Sequence, residues 1–154
     1  MRNQSPTLFR ISHMNLRLAA FLPSLLFAAG LAAAADAPAK PAASETLPSG
    51  VVVKHTRAGG GASPAASDTV QVHYRGRLDN GTEFDSSHKR GMPATFPLNG
   101  VIRCWTEGVQ KMKVGGAATL TCPATTAYGS RGAGGVVPPN ARLTFDVELL
   151  AIEK

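Results

Sequence analysis

The segment AATLTCPATTAYGSRGAGGVVPPNARLTFDVELL, Ala117–Leu150, contains two alternating stretches on either side of a glycine-rich loop. Apolar residues occur at every second position in 117–122 and again in 143–149. This two-residue period is typical of strands that bury one face and expose the other. The segment therefore predicts two β-strands with a long connection between them.

The connection itself, AYGSRGAGGVVPPNA, is Ala127–Ala141 and combines four glycines with the Pro138-Pro139 pair. Glycine permits backbone turns that other residues resist, and each proline fixes its own φ angle. Tyr128 adds an aromatic hydroxyl at the base of the loop. We therefore expect a flexible flap that covers a bound apolar ligand.

Three other stretches predict the remaining strands. Val51–Val53 is a short apolar run, and Val70–Leu78 begins with strict alternation. Asp79–Gly81 is a strong tight-turn signal, so Thr82–Phe84 is expected to return as an antiparallel partner strand.

One stretch, Arg103–Met112, predicts a helix, because Trp105, Val109 and Met112 have the i, i+4, i+7 spacing of one apolar stripe. Gly108 lowers its helix propensity by about 1 kcal/mol relative to alanine, so the helix must pack against the sheet. The predicted fold class is α+β, with an antiparallel sheet of five or six strands wrapped around one short helix.

Residues 1–35 are predicted to be a signal peptide. Three arginines precede the apolar run 18–31, and Ala33 and Ala35 form a small-x-small cleavage signature. An uncleaved membrane anchor is the alternative, although the run is shorter than the about 20 apolar residues of a spanning helix. We expect a periplasmic or secreted protein that meets the membrane only during export.

Residues 36–49 are rich in Ala, Pro and Ser and predict a mobile linker, which leaves one domain at 50–154. Three of the 16 basic residues lie in 1–35, so 13 basic and 10 acidic residues remain and the net charge falls from +6 to +3. The basic residues form no long run. Nucleic acid is therefore not an expected partner.

Conventional catalytic machinery is missing from the sequence. There is no nucleophile elbow, and the loop GSRGAGG lacks the Gly-Lys-Ser/Thr ending of a phosphate-binding loop. Cys104 and Cys122 do not have C-x-x-C spacing, and the histidines do not have zinc-ligand spacing. The two cysteines are either buried thiols or a structural disulfide. No metal or organic cofactor is expected.

Four motifs together resemble the FKBP-type peptidyl-prolyl cis-trans isomerases, in the family's order and spacing. They are VHYRGRLDNGTEFDSS (Val72–Ser87), GVIRCWTEGVQKMKVGG (Gly100–Gly116), the loop Ala127–Ala141, and FDVELL (Phe145–Leu150). The resemblance implies an FKBP-like fold and accelerated rotation of X–Pro bonds in exported proteins. It also implies proline-containing polypeptide substrates and macrolide inhibitors such as tacrolimus or rapamycin, and we expect a monomer. A binding module or chaperone that holds apolar segments is the alternative function.

The resemblance further implies a pocket with Trp105 as its floor, beneath the proline ring. The Ile102 N–H and the Tyr128 hydroxyl would bond substrate carbonyls, and Asp85 would add a polar contact. The expected catalytic residues are Tyr74, Phe84, Asp85, Ile102, Trp105 and Tyr128, and the expected substrate-binding residues are Arg90, Phe96, Val101, Val137 and Phe145. Packing in the core is an equal alternative for Tyr74 and Phe145. Ala94 departs from the large aromatic of many members, which would open one wall.

Overall fold

A computed structural model describes residues 43–154, so the predicted signal peptide and residues 36–42 of the predicted linker lie outside the described residues. Residues 43–154 form one seven-stranded antiparallel sheet and two short α-helices. The strands are β1 (Ser44–Thr46), β2 (Val52–Arg57), β3 (Thr69–Leu78), β4 (Glu83–Ser86), β5 (Ala94–Pro97), β6 (Ala117–Cys122) and β7 (Leu143–Glu153). The α-helices are α1 (Ser87–Arg90) and α2 (Arg103–Val109), and single 3-10 turns span Leu98–Gly100, Ala124–Thr126 and Gly129–Arg131.

The strand order is β1-β2-β6-β7-β3-β4, with β5 also paired to β3, so the predicted antiparallel α+β class is confirmed. The predicted alternation is present: the apolar side chains of β3, β6 and β7 are buried at every second position. The strand count is seven rather than five or six. The unpredicted strands are β1, whose three residues are all exposed, and β5, which has only four residues.

The folded unit begins earlier than the predicted domain boundary at Gly50. β1 pairs with β2, so that Glu45 lies opposite Val53, and Leu47 is only 7% exposed. Residues 43–49, predicted as part of a mobile linker, therefore belong to the fold. The polar composition of these residues gives no sign of the strand, because pairing through backbone hydrogen bonds requires no apolar side chain.

The helix α2 is shorter than the predicted Arg103–Met112. It ends at Val109, and the following amides of Lys111 and Met112 donate to carbonyls only three residues back, at 3.1 and 3.0 Å. The predicted apolar stripe nevertheless continues, since Met112 is buried together with Trp105. The single turn α1 was not predicted because its sequence, SHKR, has no apolar periodicity.

The helix α2 packs closely against β6. A Cβ atom added at Gly108 would lie 3.0 Å from Leu120 Cδ2, so the glycine that weakens the helix also permits this approach. Cys104 of α2 and Cys122 of β6 form a disulfide with their Cα atoms 5.6 Å apart. Of the two alternatives for the cysteines, the structure therefore contains the disulfide, and both residues are fully buried.

The glycine-rich loop forms a small hairpin. Ala133 and Val137 exchange backbone hydrogen bonds of 2.9 and 3.0 Å around Gly134 and Gly135, which both have positive φ. Val137 is 4% exposed and anchors the hairpin in the core, whereas its neighbour Val136 is 53% exposed. The predicted flap is thus a hairpin closed by backbone hydrogen bonds, with Val137 as its buried side chain.

Removing the disulfide should lower the free energy of unfolding by about 3 kcal/mol, because the bridge closes a loop between cysteines 18 residues apart. Urea denaturation of Cys104→Ala/Cys122→Ala against the unreduced wild type measures this difference. A thiol titration of the denatured, unreduced wild type is the control, and two free thiols per chain would contradict the bridge.

Alanine at Gly132 should destabilise the protein more than alanine at Gly134. Gly132 has φ 64° and ψ −164°, and an added Cβ would lie 2.3 Å from the Val137 carbonyl oxygen. Gly134 has φ 50° with open space around it, so only the left-handed backbone opposes alanine there. We expect losses of roughly 3 kcal/mol for Gly132→Ala and about 1–2 kcal/mol for Gly134→Ala. Equal losses in urea denaturation would refute this account of the hairpin.

Candidate active site

A cavity of about 310 Å³ opens between α2, the sheet and the base of the hairpin. Its volume is at the lower end of the about 300–1,000 Å³ found for small-ligand pockets. The residues that line it are Tyr74, Phe84, Asp85, Phe96, Gly100, Val101, Ile102, Trp105, Tyr128 and Phe145. All of these except Gly100 are among the predicted site residues.

Trp105 is the centre of the aromatic lining. Its ring meets those of Tyr74, Phe96 and Phe145 edge-on, with centroids 5.1, 5.5 and 5.4 Å apart. Edge-to-face contact is a preferred aromatic geometry, so each neighbour constrains the orientation of the indole. Trp105 is only 4% exposed yet lines the cavity. Core packing and pocket lining are therefore not alternatives for Trp105, Tyr74 or Phe145, because the same rings do both.

A glycine near the end of β3 makes room for one wall of the cavity. An added Cβ at Gly76 would lie 2.7 Å from Phe84 Cζ and 2.9 Å from Phe145 Cε1. These two rings meet edge-on at 5.7 Å directly beside the strand. Gly76 was not among the predicted residues, although a glycine inside a strand is a known sign of close approach.

A polar cluster forms one rim of the cavity. The Tyr74 hydroxyl donates to Asp85, and Arg90 donates to Asp85 Oδ1 at 2.6 Å and to the Tyr74 hydroxyl oxygen at 2.9 Å. The guanidinium carbon also lies 5.5 Å from the Tyr74 ring centroid. Arg90 does not line the cavity itself. It was expected among the substrate-binding residues, and it contacts Asp85 and Tyr74, which line the cavity, rather than the cavity itself.

The same hydrogen bonds set the charges of the cluster. Partial burial opposes ionisation of Asp85, but the hydrogen bonds from Tyr74 and Arg90 outweigh it and lower the pKa of the carboxyl group. Burial, together with the hydrogen bond to Asp85, raises the pKa of the Tyr74 hydroxyl. At neutral pH the rim therefore carries an ionised Asp85 that accepts from a protonated Tyr74.

Ser87 attaches α1, and with it Arg90, to the sheet. Its fully buried Oγ accepts the Tyr74 N–H at 2.8 Å and lies 3.0 Å from His73 Nδ1. This serine was missed at the sequence level, where the pair Ser86-Ser87 carries no periodic signal. Its bond to the backbone of Tyr74 explains how a helix of only four residues keeps a fixed place.

Three polar hydrogens of the lining have no acceptor in the described part of the chain. They are the backbone N–H of Ile102, the Tyr128 hydroxyl and the buried indole N–H of Trp105. Ile102 directly precedes α2, and the first N–H groups of a helix have no partner inside it. The cavity thus combines an apolar lining with two donors that have no protein acceptor, the Ile102 N–H and the Tyr128 hydroxyl, whereas the indole N–H of Trp105 is buried.

Besides Arg90, two further residues with predicted roles lie outside the lining. Val137 does not line the cavity, because its side chain is buried in the core beneath the hairpin. Ala94 packs against the core next to Phe96 and is likewise outside the lining. Gly100, which does line the cavity, ends a 3-10 turn that the sequence pattern did not reveal.

Within residues 43–154, no group of three or more His, Cys, Asp or Glu side chains is arranged to hold a metal ion. None of the helices between Ala43 and Lys154 has the length and apolar character needed to cross a bilayer.

Comparison with known proteins gives consistent matches. The family model for FKBP-type peptidyl-prolyl cis-trans isomerases matches residues 60–150. The isomerase FkpA of Aeromonas hydrophila is 58% identical over 106 residues, which are 69% of this chain and 39% of that protein. FK506-binding protein 1 of Dictyostelium discoideum is 50% identical over 106 residues, 68% of this chain and 99% of that protein. The crystal structure of FkpA from Escherichia coli superposes with a TM-score of 0.69 at 47% identity, over 71% of this chain and 51% of that one.

The predicted FKBP-like fold is thereby confirmed. The match covers about half or less of the two bacterial FkpA chains and nearly all of the Dictyostelium protein. The matched region, 60–150, contains every residue of the cavity lining. This chain belongs to the family of FKBP-type peptidyl-prolyl cis-trans isomerases.

Proposed function

We propose that this protein accelerates cis-trans rotation about X–Pro bonds, as a folding catalyst for exported proteins. The observation that carries the proposal is the cavity around Trp105, which is lined by aromatic rings and has free donors at its edge. A proline ring is apolar and fits against an aromatic floor, while the carbonyl groups beside it need hydrogen-bond donors. The cavity supplies both kinds of contact.

The reaction requires no bond to break. Rotation of the amide faces a barrier of about 18–20 kcal/mol that resonance of the peptide bond creates. Water favours the planar, charge-separated form of the amide. An apolar site favours the twisted and less polar amide, so transfer of the bond from water into the cavity lowers the barrier. This mechanism explains why the lining needs neither a nucleophile nor a general base.

The donors have distinct roles in this proposal. The Ile102 N–H and the Tyr128 hydroxyl bind the carbonyls on either side of the rotating bond and fix the peptide across the cavity. Asp85, held ionised by Tyr74 and Arg90, contacts the substrate at the rim. Phe96, Val101 and the aromatic rings form the apolar walls. Macrolides such as tacrolimus and rapamycin, which present similar apolar rings and carbonyls, are proposed to compete for the same cavity.

The cellular setting is also a proposal. The N-terminal pattern of arginines, apolar run and small-residue cleavage signature supports export to the periplasm or medium. The disulfide between Cys104 and Cys122 is consistent with an oxidising compartment. We propose a monomer, and sedimentation equilibrium of the purified protein measures this directly.

The proposed activity is tested by following the cis-to-trans conversion of an X–Pro peptide with and without the protein. Tyr128→Phe alone should lower kcat/KM about fivefold, because one hydrogen bond contributes about 1 kcal/mol. Tyr128→Phe combined with Asp85→Val should remove most of the activity. Thr125→Val is the control, since this exposed hydroxyl is close in sequence and outside the lining. No acceleration by the wild type would refute the enzyme proposal, and unchanged turnover in the double variant would refute these roles.

The role of Asp85 also predicts a pH dependence. Its pKa in the folded protein is lower than the ordinary value of about 3.9, so its ionised form stabilises the fold fully above that pH. This contribution is lost as the pH falls through the folded-state pKa. The difference in unfolding free energy between wild type and Asp85→Asn should therefore be constant from about pH 7 to about pH 5 and shrink below about pH 4. Urea denaturation across this range measures it, and a difference that shrinks between pH 7 and pH 5 would contradict the assignment.

A further inference from the structure

Tyr128 differs from the other aromatic residues of the cavity in how it is held. Each of the other rings meets a neighbouring aromatic ring edge-on. Among residues 43–154, Tyr128 has no aromatic ring packed in this way, and it is 39% exposed. The backbone that leads to Tyr128 must therefore fix its position.

That backbone is a compact turn that starts at Cys122. The Thr126 N–H and its side-chain Oγ1 both donate to the Pro123 carbonyl at 2.9 Å, and the Ala127 N–H donates to the Ala124 carbonyl at 3.1 Å. Thr126 is buried, so the turn is closed internally and packed against the fold. The position of Tyr128 is consequently tied to that of Cys122 on its N-terminal side, while on its C-terminal side the Asn140 N–H donates to the Gly129 carbonyl at 2.8 Å.

The opposite side of the cavity is tied to the other cysteine. Cys104 lies in the first turn of α2 between Ile102 and Trp105, which supply a free N–H and the floor. Along the chain Tyr128 follows Trp105 by 23 residues, but the disulfide joins the two segments directly. The contact of Gly108 with Leu120 also joins α2 to β6, at one turn further along the helix.

We propose that the Cys104–Cys122 disulfide is a positioning element of the active site, which sets the separation between Tyr128 and the Ile102–Trp105 side of the cavity. This inference rests on the proposed isomerase function. The bridge links the two segments whose donors, the Ile102 N–H and the Tyr128 hydroxyl, must bind the same peptide at once. Two donors held at a fixed separation can bind a peptide without a further loss of conformational entropy. The bridge therefore allows the Tyr128 hydroxyl to form its hydrogen bond to a peptide that the Ile102 N–H already holds.

A double-mutant cycle tests the proposal on the full chain. In the wild type, Tyr128→Phe is expected to lower kcat/KM about fivefold. In the Cys104→Ala/Cys122→Ala background the same change should lower kcat/KM less than about twofold, since a hydroxyl that is no longer held contributes little. Asp85→Asn should have the same effect in both backgrounds, because Arg90 and Tyr74 hold Asp85 independently of the bridge.

Leu149→Ala is the matched control for stability. Leu149 is fully buried in β7 and outside the cavity, and its truncation leaves a cavity in the core that is expected to destabilise the fold by an amount similar to the loss of the disulfide. In this background Tyr128→Phe should retain its full fivefold effect. An undiminished effect of Tyr128→Phe in the disulfide-free background would overturn the proposal. So would a loss of the effect in the Leu149→Ala background, which would attribute it to stability alone.

A second measurement does not depend on activity. Removal of the bridge should speed amide hydrogen exchange at Thr126 and Ala127 at least about tenfold more than Leu149→Ala does, because the turn loses its attachment to α2. Equal exchange in the two variants would overturn the proposed role of the disulfide, whether or not the wild type is active. An inactive wild type would instead refute the proposed isomerase function. If the double alanine variant does not fold, Cys104→Ala/Cys122→Val restores most of the lost volume and serves in the same experiments.

Discussion

The approach of the short helix α2 to the aromatic face of the sheet is the constraint on which this structure depends. The helix is only seven residues long and contains a glycine, so its own propensity cannot hold it in place. It is held instead by Trp105, whose indole packs edge-on against three other rings, and by the disulfide to β6. The cavity is the space left where this helix and the aromatic face of the sheet do not close completely. Stability and binding therefore use the same contacts.

Sequence patterns predicted the elements whose side chains alternate or repeat. The strands around Tyr74 and Phe145 and the apolar stripe of Trp105 follow directly from a period of two or of three to four residues. The edge strand at Ser44–Thr46 did not, because it is held by backbone pairing that leaves no periodic trace in the side chains. The one-turn helix α1, which carries Arg90, was not predicted for the same reason, since its four polar residues form no apolar stripe.

The site was predicted through resemblance rather than periodicity, and the differences are instructive. The residues that meet in the cavity are far apart in the chain, so only their joint match to a family brought them together beforehand. Gly76 and Ser87 were not predicted. Gly76 contributes to the site by lacking a Cβ atom, and Ser87 contributes by a hydrogen bond to the backbone of Tyr74. Neither property shows in the composition of a segment. Val137 was expected to bind substrate, but its side chain is buried and anchors the hairpin. The sequence could not show this, because nothing in the pair Val136-Val137 indicates which of the two side chains is buried.

Trp105 is the chain's one tryptophan, and it forms the floor of the cavity. The tryptophan fluorescence of this protein consequently comes from a single indole that lines the cavity. A ligand that covers the ring changes the local polarity and hence the emission, so affinities can be read on the unlabelled protein without an enzymatic assay. The emission of Trp105, the residue on which the core packs, thus reports whether the cavity is occupied.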